Sequence, residues 1–311
     1  MKRSLEPGQG SSTTADPKRK RSGKIELESS FPLEQGKIYF TPIGGITSPL
    51  VCSEGAMSFS DIIDLTRPTN SIHFNFMIDF EWMISCYPPS IRSNPITLVV
   101  GDSDTKSLRQ DAKNHPNITV HPARLPIPYG THHTKLSILE NETNLHVIIS
   151  TANLVTGDWE FKTQQFYHAV GSRRLEMAED SGFRADLLEY LKFYGKNLEP
   201  WIEIIKKFDF SDVKDRLIFS VPGYHKNQDI KKYGHPRMRQ LLQNITTPSE
   251  STSKLRPLYI AQCSSIGSLG KTPATWFRGE FLKAMEGGTP AVPSRLFLIY
   301  PTVENVRTSY A

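Results

Sequence analysis

The run Gly130-Thr-His-His-Thr-Lys135 holds residue types that phosphate chemistry uses. A phosphodiester is an anion, so its best attacker near neutral pH is uncharged and nucleophilic, as imidazole is. An ammonium and an amide beside the imidazole would donate to the non-bridging oxygens as charge shifts in the transition state. His133 and Lys135 supply the first two groups at a spacing of two, which on a strand puts both side chains on one face. The amide is expected from Asn153, at the end of the next apolar run. Such a set calls for no metal ion and no cofactor. An ordinary polar face on a half-exposed strand would carry the same triplet. A zinc site at His132 and His133 is disfavoured: adjacent strand residues point to opposite faces, and no Cys or carboxylate cluster completes a coordination shell.

These residues need a turn and a hairpin to position them. Pro126-Ile-Pro-Tyr-Gly130 predicts the turn, and residues 133–139 alternate as a strand does, with His133, Lys135 and Ser137 on one face and Thr134, Leu136 and Ile138 on the other. Residues 145–149 predict a second strand ending in Ser150-Thr-Ala-Asn153, so that the hairpin carries Asn153 towards His133. Further strands are expected at 37–40, 71–76, 96–100, 118–120, 217–221, 258–262 and 295–300. Helices are expected from the cap Ser58 to 65, with Asp61 in the first turn, and over 79–86, where Pro88-Pro89 ends the helix. Others are expected as a polar helix to about 113 and over 184–194, 200–208, 235–243 and 275–285, with a turn at 41–45 and a loop at 246–253. Strands alternating with helices predict an α/β sandwich whose sheet is covered on both faces, the first unit closing near Asp209.

Gly130-Thr-His-His-Thr-Lys135 with Ser150-Thr-Ala-Asn-Leu-Val-Thr-Gly-Asp-Trp-Glu-Phe-Lys-Thr-Gln164 resembles the first catalytic motif of the tyrosyl-DNA phosphodiesterases, a branch of the phospholipase D superfamily. The similarity runs from about Phe40 to the last residue and includes Phe74-Asn-Phe-Met-Ile-Asp-Phe-Glu-Trp82, Val99-Val-Gly-Asp102, Ser220-Val-Pro-Gly223, Gln262-Cys-Ser-Ser-Ile-Gly-Ser-Leu-Gly270 and Leu298-Ile-Tyr-Pro-Thr-Val-Glu-Asn-Val-Arg-Thr-Ser309. The resemblance implies a mixed-sheet, phospholipase D-like fold, with residues 25–209 as a first domain and 210–311 as a second, similar but incomplete one. It implies hydrolysis of 3′-phosphotyrosyl DNA and related 3′-end adducts. His133 would attack phosphorus to give a phosphohistidine, and Lys135 and Asn153 would bind the phosphoryl oxygens. Phe76 and Tyr129 are implied as groove residues, and Ser264, Ser265 and Ser268 as contacts to the DNA backbone, in a segment whose small residues let a phosphate approach. Phe74 also offers a ring that could stack on a base, although such aromatics usually belong to the core.

Members of the superfamily use two His-x-Lys motifs, and this sequence has one. His225-Lys226 lacks the spacer, and His235-Pro-Arg237 has Arg for Lys and a Pro unsuited to a central strand. The pattern continues to Tyr310-Ala311, so the expectation is a chain cut within its second half. The general acid that protonates the leaving phenol would lie outside it, and the resemblance implies Gln164 as a catalytic-site residue that supports that second His. General acid catalysis contributes about two to four orders of magnitude in rate, so the isolated chain is expected to be very slow or inactive. Two other readings are a catalytically dead protein that still binds DNA ends and a phospholipid-directed member of the superfamily. Loss of strands would also leave apolar faces and an open edge prone to association.

At 311 residues, with 38% hydrophobic content, the chain can fill one large or two ordinary cores. The net charge of +5 points to nucleic acid only until it is located, because residues 1–24 alone carry +5 and the remainder sums to zero. That first segment reads as a disordered basic tail, and Pro17-Lys-Arg-Lys-Arg21 resembles a nuclear import signal, implying a nuclear protein with an import receptor as partner. Neither a secretory signal nor a bilayer-spanning stretch is predicted. Cys52, Cys86 and Cys263 are odd in number and widely spaced, which predicts buried free thiols in a reducing compartment.

Overall fold

A computed structural model describes residues 33–44, 55–128, 130–176, 179–180, 182–243, 256–288 and 293–309. The basic tail, Cys52, Tyr129 and the 246–253 loop therefore lie outside the described residues. Eight strands form one mixed sheet: β1 (Lys37–Phe40), β2 (Asn70–Phe74), β3 (Ile96–Gly101), β4 (Ile118–Ala123), β5 (Leu136–Glu140), β6 (Asn144–Ser150), β7 (Gln165–Arg173) and β8 (Phe208–Asp209). Their order is β1-β7-β6-β5-β2-β3-β4, with β8 on the far end of β7. The right half, β2 to β4, is parallel because helices return the chain between its strands. The left half is antiparallel, built on the β5–β6 hairpin. That hairpin closes where Asn141 Oδ1 accepts from the backbone N–H groups of Thr143 and Asn144.

Alternation along the central strands fills two cores. Leu98, Val100, Leu139 and Ile148 point to one face, where they meet α1 (Phe59–Thr66), α2 (Phe80–Ser85), α3 (Asp102–Asp111) and α4 (Thr156–Glu160). Ile72, Phe74, Val99, Ile138 and Val147 point to the other, against α5 (Phe183–Lys192) and α6 (Glu199–Ile205). Each such side chain contributes roughly 1.5–3 kcal/mol by leaving water. The two-faced sandwich is the architecture its sequence predicts. A capping box forms at Ser58, whose hydroxyl accepts from the Asp61 N–H while the Asp61 carboxylate accepts from the Ser58 N–H.

Several local expectations are corrected. The strand predicted for 133–139 begins only at Leu136, and the one predicted for 71–76 ends at Phe74. Phe208 pairs with Arg173 in the sheet instead of ending a helix. Phe74 is wholly buried, so it is a core residue and not a base-stacking one. Cys86 is a buried free thiol, whereas Cys263 is only half-buried. Residues 217–221 form no ladder: Leu217, Phe219 and Val221 pack on the second core as an extended strap. The start of that strap is pinned by Asp186, which accepts from both Arg216 Nε and Nη2 and from the Leu217 N–H, and also from Arg237 Nη2.

Beyond the strap lie α7 (Gly234–Leu242), β9 (Leu258–Gln262), a π-helical turn (Phe277–Leu282) running into α8 (Lys283–Glu286), β10 (Arg295–Ile299) and α9 (Val303–Arg307). Strands β9 and β10 pair in parallel as a separate two-stranded sheet. Leu258, Ile260, Phe297 and Ile299 on these strands are exposed. Among the described residues no helix is long and apolar enough to cross a membrane.

Candidate active site

The site forms where β5 begins. Just before the ladder, the Lys135 carbonyl already accepts from the Ser150 N–H at 3.0 Å, so the chain from His132 to Lys135 is extended and its side chains alternate. His132 and Thr134 point towards α5. Their partners are the phenols of that helix and the residues after it: His132 Nε2 lies 3.0 Å from the Tyr194 hydroxyl and Thr134 Oγ1 lies 2.6 Å from that of Tyr190. Burial pushes the His132 pKa down to about 4, with the Asn75 backbone acting in the opposite direction. His132 is therefore a neutral, buried anchor, and it does not share a face with His133.

His133 is exposed, whereas Lys135 is buried. The Lys135 ammonium donates to His133 Nδ1 and to the His133 carbonyl, each at 3.1 Å. Phe76 lies against the imidazole, with ring centroids 4.9 Å apart and planes 32° from parallel, and Lys135 Nζ sits 5.8 Å from the Phe76 centroid. Partial burial and then the Lys135 charge hold His133 below the ordinary histidine range. Burial also lowers the Lys135 pKa, opposed by the Asp158 carboxylate. The result is an uncharged imidazole at the surface beside a largely desolvated cation, an arrangement suited to an anion arriving from solvent.

The backbone holds Asn153 beside the segment that leads on from Phe76. Leu154 donates to the Met77 carbonyl at 3.1 Å and accepts from the Asp79 N–H at 2.8 Å, bridging the chain that follows Phe76. The Asn153 amide nitrogen donates to Asp158 Oδ2 at 2.8 Å, which fixes the orientation of the amide. Its oxygen is buried with no hydrogen-bond partner among the described residues. Gln164 lies on the neighbouring turn, its side-chain oxygen accepting from Thr151 Oγ1 at 2.5 Å.

His133 and Lys135 line a cavity of about 850 Å³ together with Tyr190 and Tyr194 and with Leu217, Phe219 and Val221 of the strap, whereas Phe76, Asn153 and Gln164 do not line it. Ser264, Ser265 and Ser268 are exposed on the loop after β9 and do not line this cavity. Tyr129 lies outside the described residues. His225, in the spacer-less pair, holds the Val221 carbonyl at 3.1 Å, and His235 faces Glu280 at 3.5 Å. Among the described residues no group of three or more His, Cys, Asp or Glu is placed to hold a metal ion. Sequence reasoning missed Asp158, and its signal was there in the Asn153-Leu-Val-Thr-Gly-Asp158 spacing, a short loop that returns on itself.

Residues 37–311 match the family described as tyrosyl-DNA phosphodiesterase. A probable tyrosyl-DNA phosphodiesterase of Caenorhabditis elegans is 48% identical over 317 residues, covering 99% of this chain and 69% of the nematode protein. Tyrosyl-DNA phosphodiesterase 1 of Arabidopsis thaliana is 32% identical over 277 residues, covering 81% of this chain and 44% of its own length. A crystal structure of the yeast tyrosyl-DNA phosphodiesterase superposes with a TM-score of 0.55 at 17% identity, covering 75% of this chain and 53% of the yeast one, a likeness of fold. The chain thus spans about half the length of the plant and yeast proteins and somewhat more of the nematode one.

Proposed function

The chain belongs to the tyrosyl-DNA phosphodiesterase family, a family of phosphoric diester hydrolases within the phospholipase D superfamily, and we propose that it supplies the nucleophilic half of a phosphodiesterase site acting on DNA 3′ ends joined to tyrosine. The observation that carries this reading is the placing of the His133 imidazole at the surface, with the Lys135 ammonium 3.1 Å away and an aromatic ring on one face. In the proposed step a His133 ring nitrogen attacks phosphorus and the bond to the tyrosine oxygen breaks. Lys135 and Asn153 take the charge on the non-bridging oxygens, leaving a phosphohistidine that water later hydrolyses. The proton for the leaving phenol comes from a group not assigned to this chain. Phe76 and Tyr129 are proposed to meet the nucleotide next to the phosphate, and Ser264, Ser265 and Ser268 the backbone further along. Residues 210–311 are proposed to open a second, related domain, and the 17–21 basic run to direct the protein to the nucleus through an import receptor.

A 3′-phosphotyrosyl oligonucleotide incubated with the chain in excess chelator tests the reading. Cleavage, or an acid-labile adduct on the protein, that disappears in His133→Ala supports it. Tight binding with neither product makes the chain a DNA-end-binding protein, and a preference for phospholipid headgroups over DNA overturns the DNA assignment.

A further inference from the structure

Asp158 is 5% exposed and sits in α4. A carboxylate taken out of water is costly unless its oxygens are satisfied, and these are. Oδ2 accepts from the Asn153 N–H and from Asn153 Nδ2, each at 2.8 Å, and Oδ1 accepts from Lys162 Nζ at 2.8 Å. Burial alone would raise its pKa, but the Lys162 ammonium and the two Asn153 donors outweigh it and hold the carboxyl below the usual range. Asp158 is therefore an anion at neutral pH. An amide nitrogen carries two hydrogens. With one committed to Asp158, the Asn153 side chain cannot rotate, and its second hydrogen keeps a fixed direction. Two bonds from one oxygen to the backbone and the side chain of the same residue constrain that residue more than either alone.

The same carboxylate is the acid whose field acts on Lys135. Lys162, its direct ion-pair partner, has a side chain 54% exposed. Resting on the reading of His133, Lys135 and Asn153 as a phosphate site, we propose that Asp158 is a positioning residue for it, locking the Asn153 amide in a donating orientation. It touches no reacting atom.

The test is binding of the 3′-phosphotyrosyl oligonucleotide to the full chain, followed by fluorescence anisotropy across the neutral and alkaline range, for the unmutated chain, Asp158→Asn, Asp158→Glu and Lys162→Ala. Asp158→Asn should weaken binding roughly tenfold or more, the scale of a lost hydrogen bond to a charged group. It should also move the alkaline loss of binding to lower pH, because Lys135 then sheds its proton earlier. A purely structural role would not move that limb. Asp158→Glu keeps the charge but lengthens the arm, so it should hold the alkaline limb in place while weakening binding, and it decides the matter where Asp158→Asn fails to fold. Lys162→Ala takes the partner from one Asp158 oxygen but leaves both bonds to Asn153, so it should weaken binding less than Asp158→Asn does. A folded Asp158→Asn with unchanged affinity and pH profile, or an Asp158→Glu with unchanged affinity, overturns the proposal. No binding by the unmutated chain at any pH removes the phosphate-site reading itself, and the proposal with it.

Discussion

Lys135 Nζ donates to His133 Nδ1 at 3.1 Å, which decides the state of the resting imidazole. An ammonium can only donate, so Nδ1 is the acceptor and the neutral ring carries its proton on Nε2. Neither nitrogen is then free to attack: one is occupied and the other protonated. On the proposed reading, an arriving phosphate would compete for the ammonium and release Nδ1, and the ring proton would move to it so that the far nitrogen becomes nucleophilic. With phosphate added to ¹⁵N-histidine-labelled protein, the His133 ring signals should change from the Nε2-protonated to the Nδ1-protonated pattern. In Lys135→Met the resting pattern should already be mixed. Formation of the covalent adduct in Lys135→Met should fall by about a hundredfold or more, the usual cost of a lost transition-state donor.

The acid limb of oligonucleotide reaction should lie below the ordinary histidine value, since burial and the Lys135 charge both disfavour a protonated His133. Removing the ammonium in Lys135→Met relieves one of these, so the limb should move up towards about pH 6.5. A single-turnover pH profile of the two proteins checks the direction.

Phe76→Ala removes the surface against which the imidazole rests. Anisotropy with the 3′-phosphotyrosyl oligonucleotide should show weaker binding by roughly five- to a hundredfold, the range of one aromatic stacking contact. Phe76→Tyr should retain most of the affinity.

Stability should fall as the solution is made acid, well before the carboxylates titrate. His73 is completely buried between Ser137 Oγ at 2.8 Å and the Tyr87 hydroxyl at 2.7 Å, and burial pushes its pKa down to about 3. His146, packed on His168, is pushed down to about 4 by burial and then by its neighbour. Below about pH 6.5 the unfolded chain takes up protons that these folded-state rings refuse, so each contributes a loss of up to about 1.4 kcal/mol per pH unit until its folded pKa is reached. Denaturant melts at neutral and mildly acid pH should show this slope, reduced in His73→Gln.

A methyl group added at Gly171 would come within 2.6 Å of the Phe210 ring, where the chain entering the strap packs on β7. Gly171→Ala should destabilise the fold by about 1–3 kcal/mol through overpacking. Phe210→Leu in the same protein should recover part of the loss in a thermal melt.

The sequence by itself determined the directions in which side chains point. Alternation at Leu98, Val99 and Val100 specified a strand with two buried faces, and the two-residue spacing put His133 and Lys135 on one side with His132 on the other. Such periodicity is a property of the local backbone and survives whatever the rest of the chain does. Tertiary structure decided which of those side chains are covered and what they bond. Leu217, Phe219 and Val221 alternate as a strand would, yet no described strand pairs with them in a ladder, because a ladder needs a partner that local sequence does not name. Phe74 and Phe76 are the same residue type two positions apart, but the sheet ends between them, leaving one in the core and the other on the imidazole. Asp158 was not singled out by its sequence. Only the return of its loop onto Asn153, with Lys162 closing over the second oxygen, makes it a buried anion.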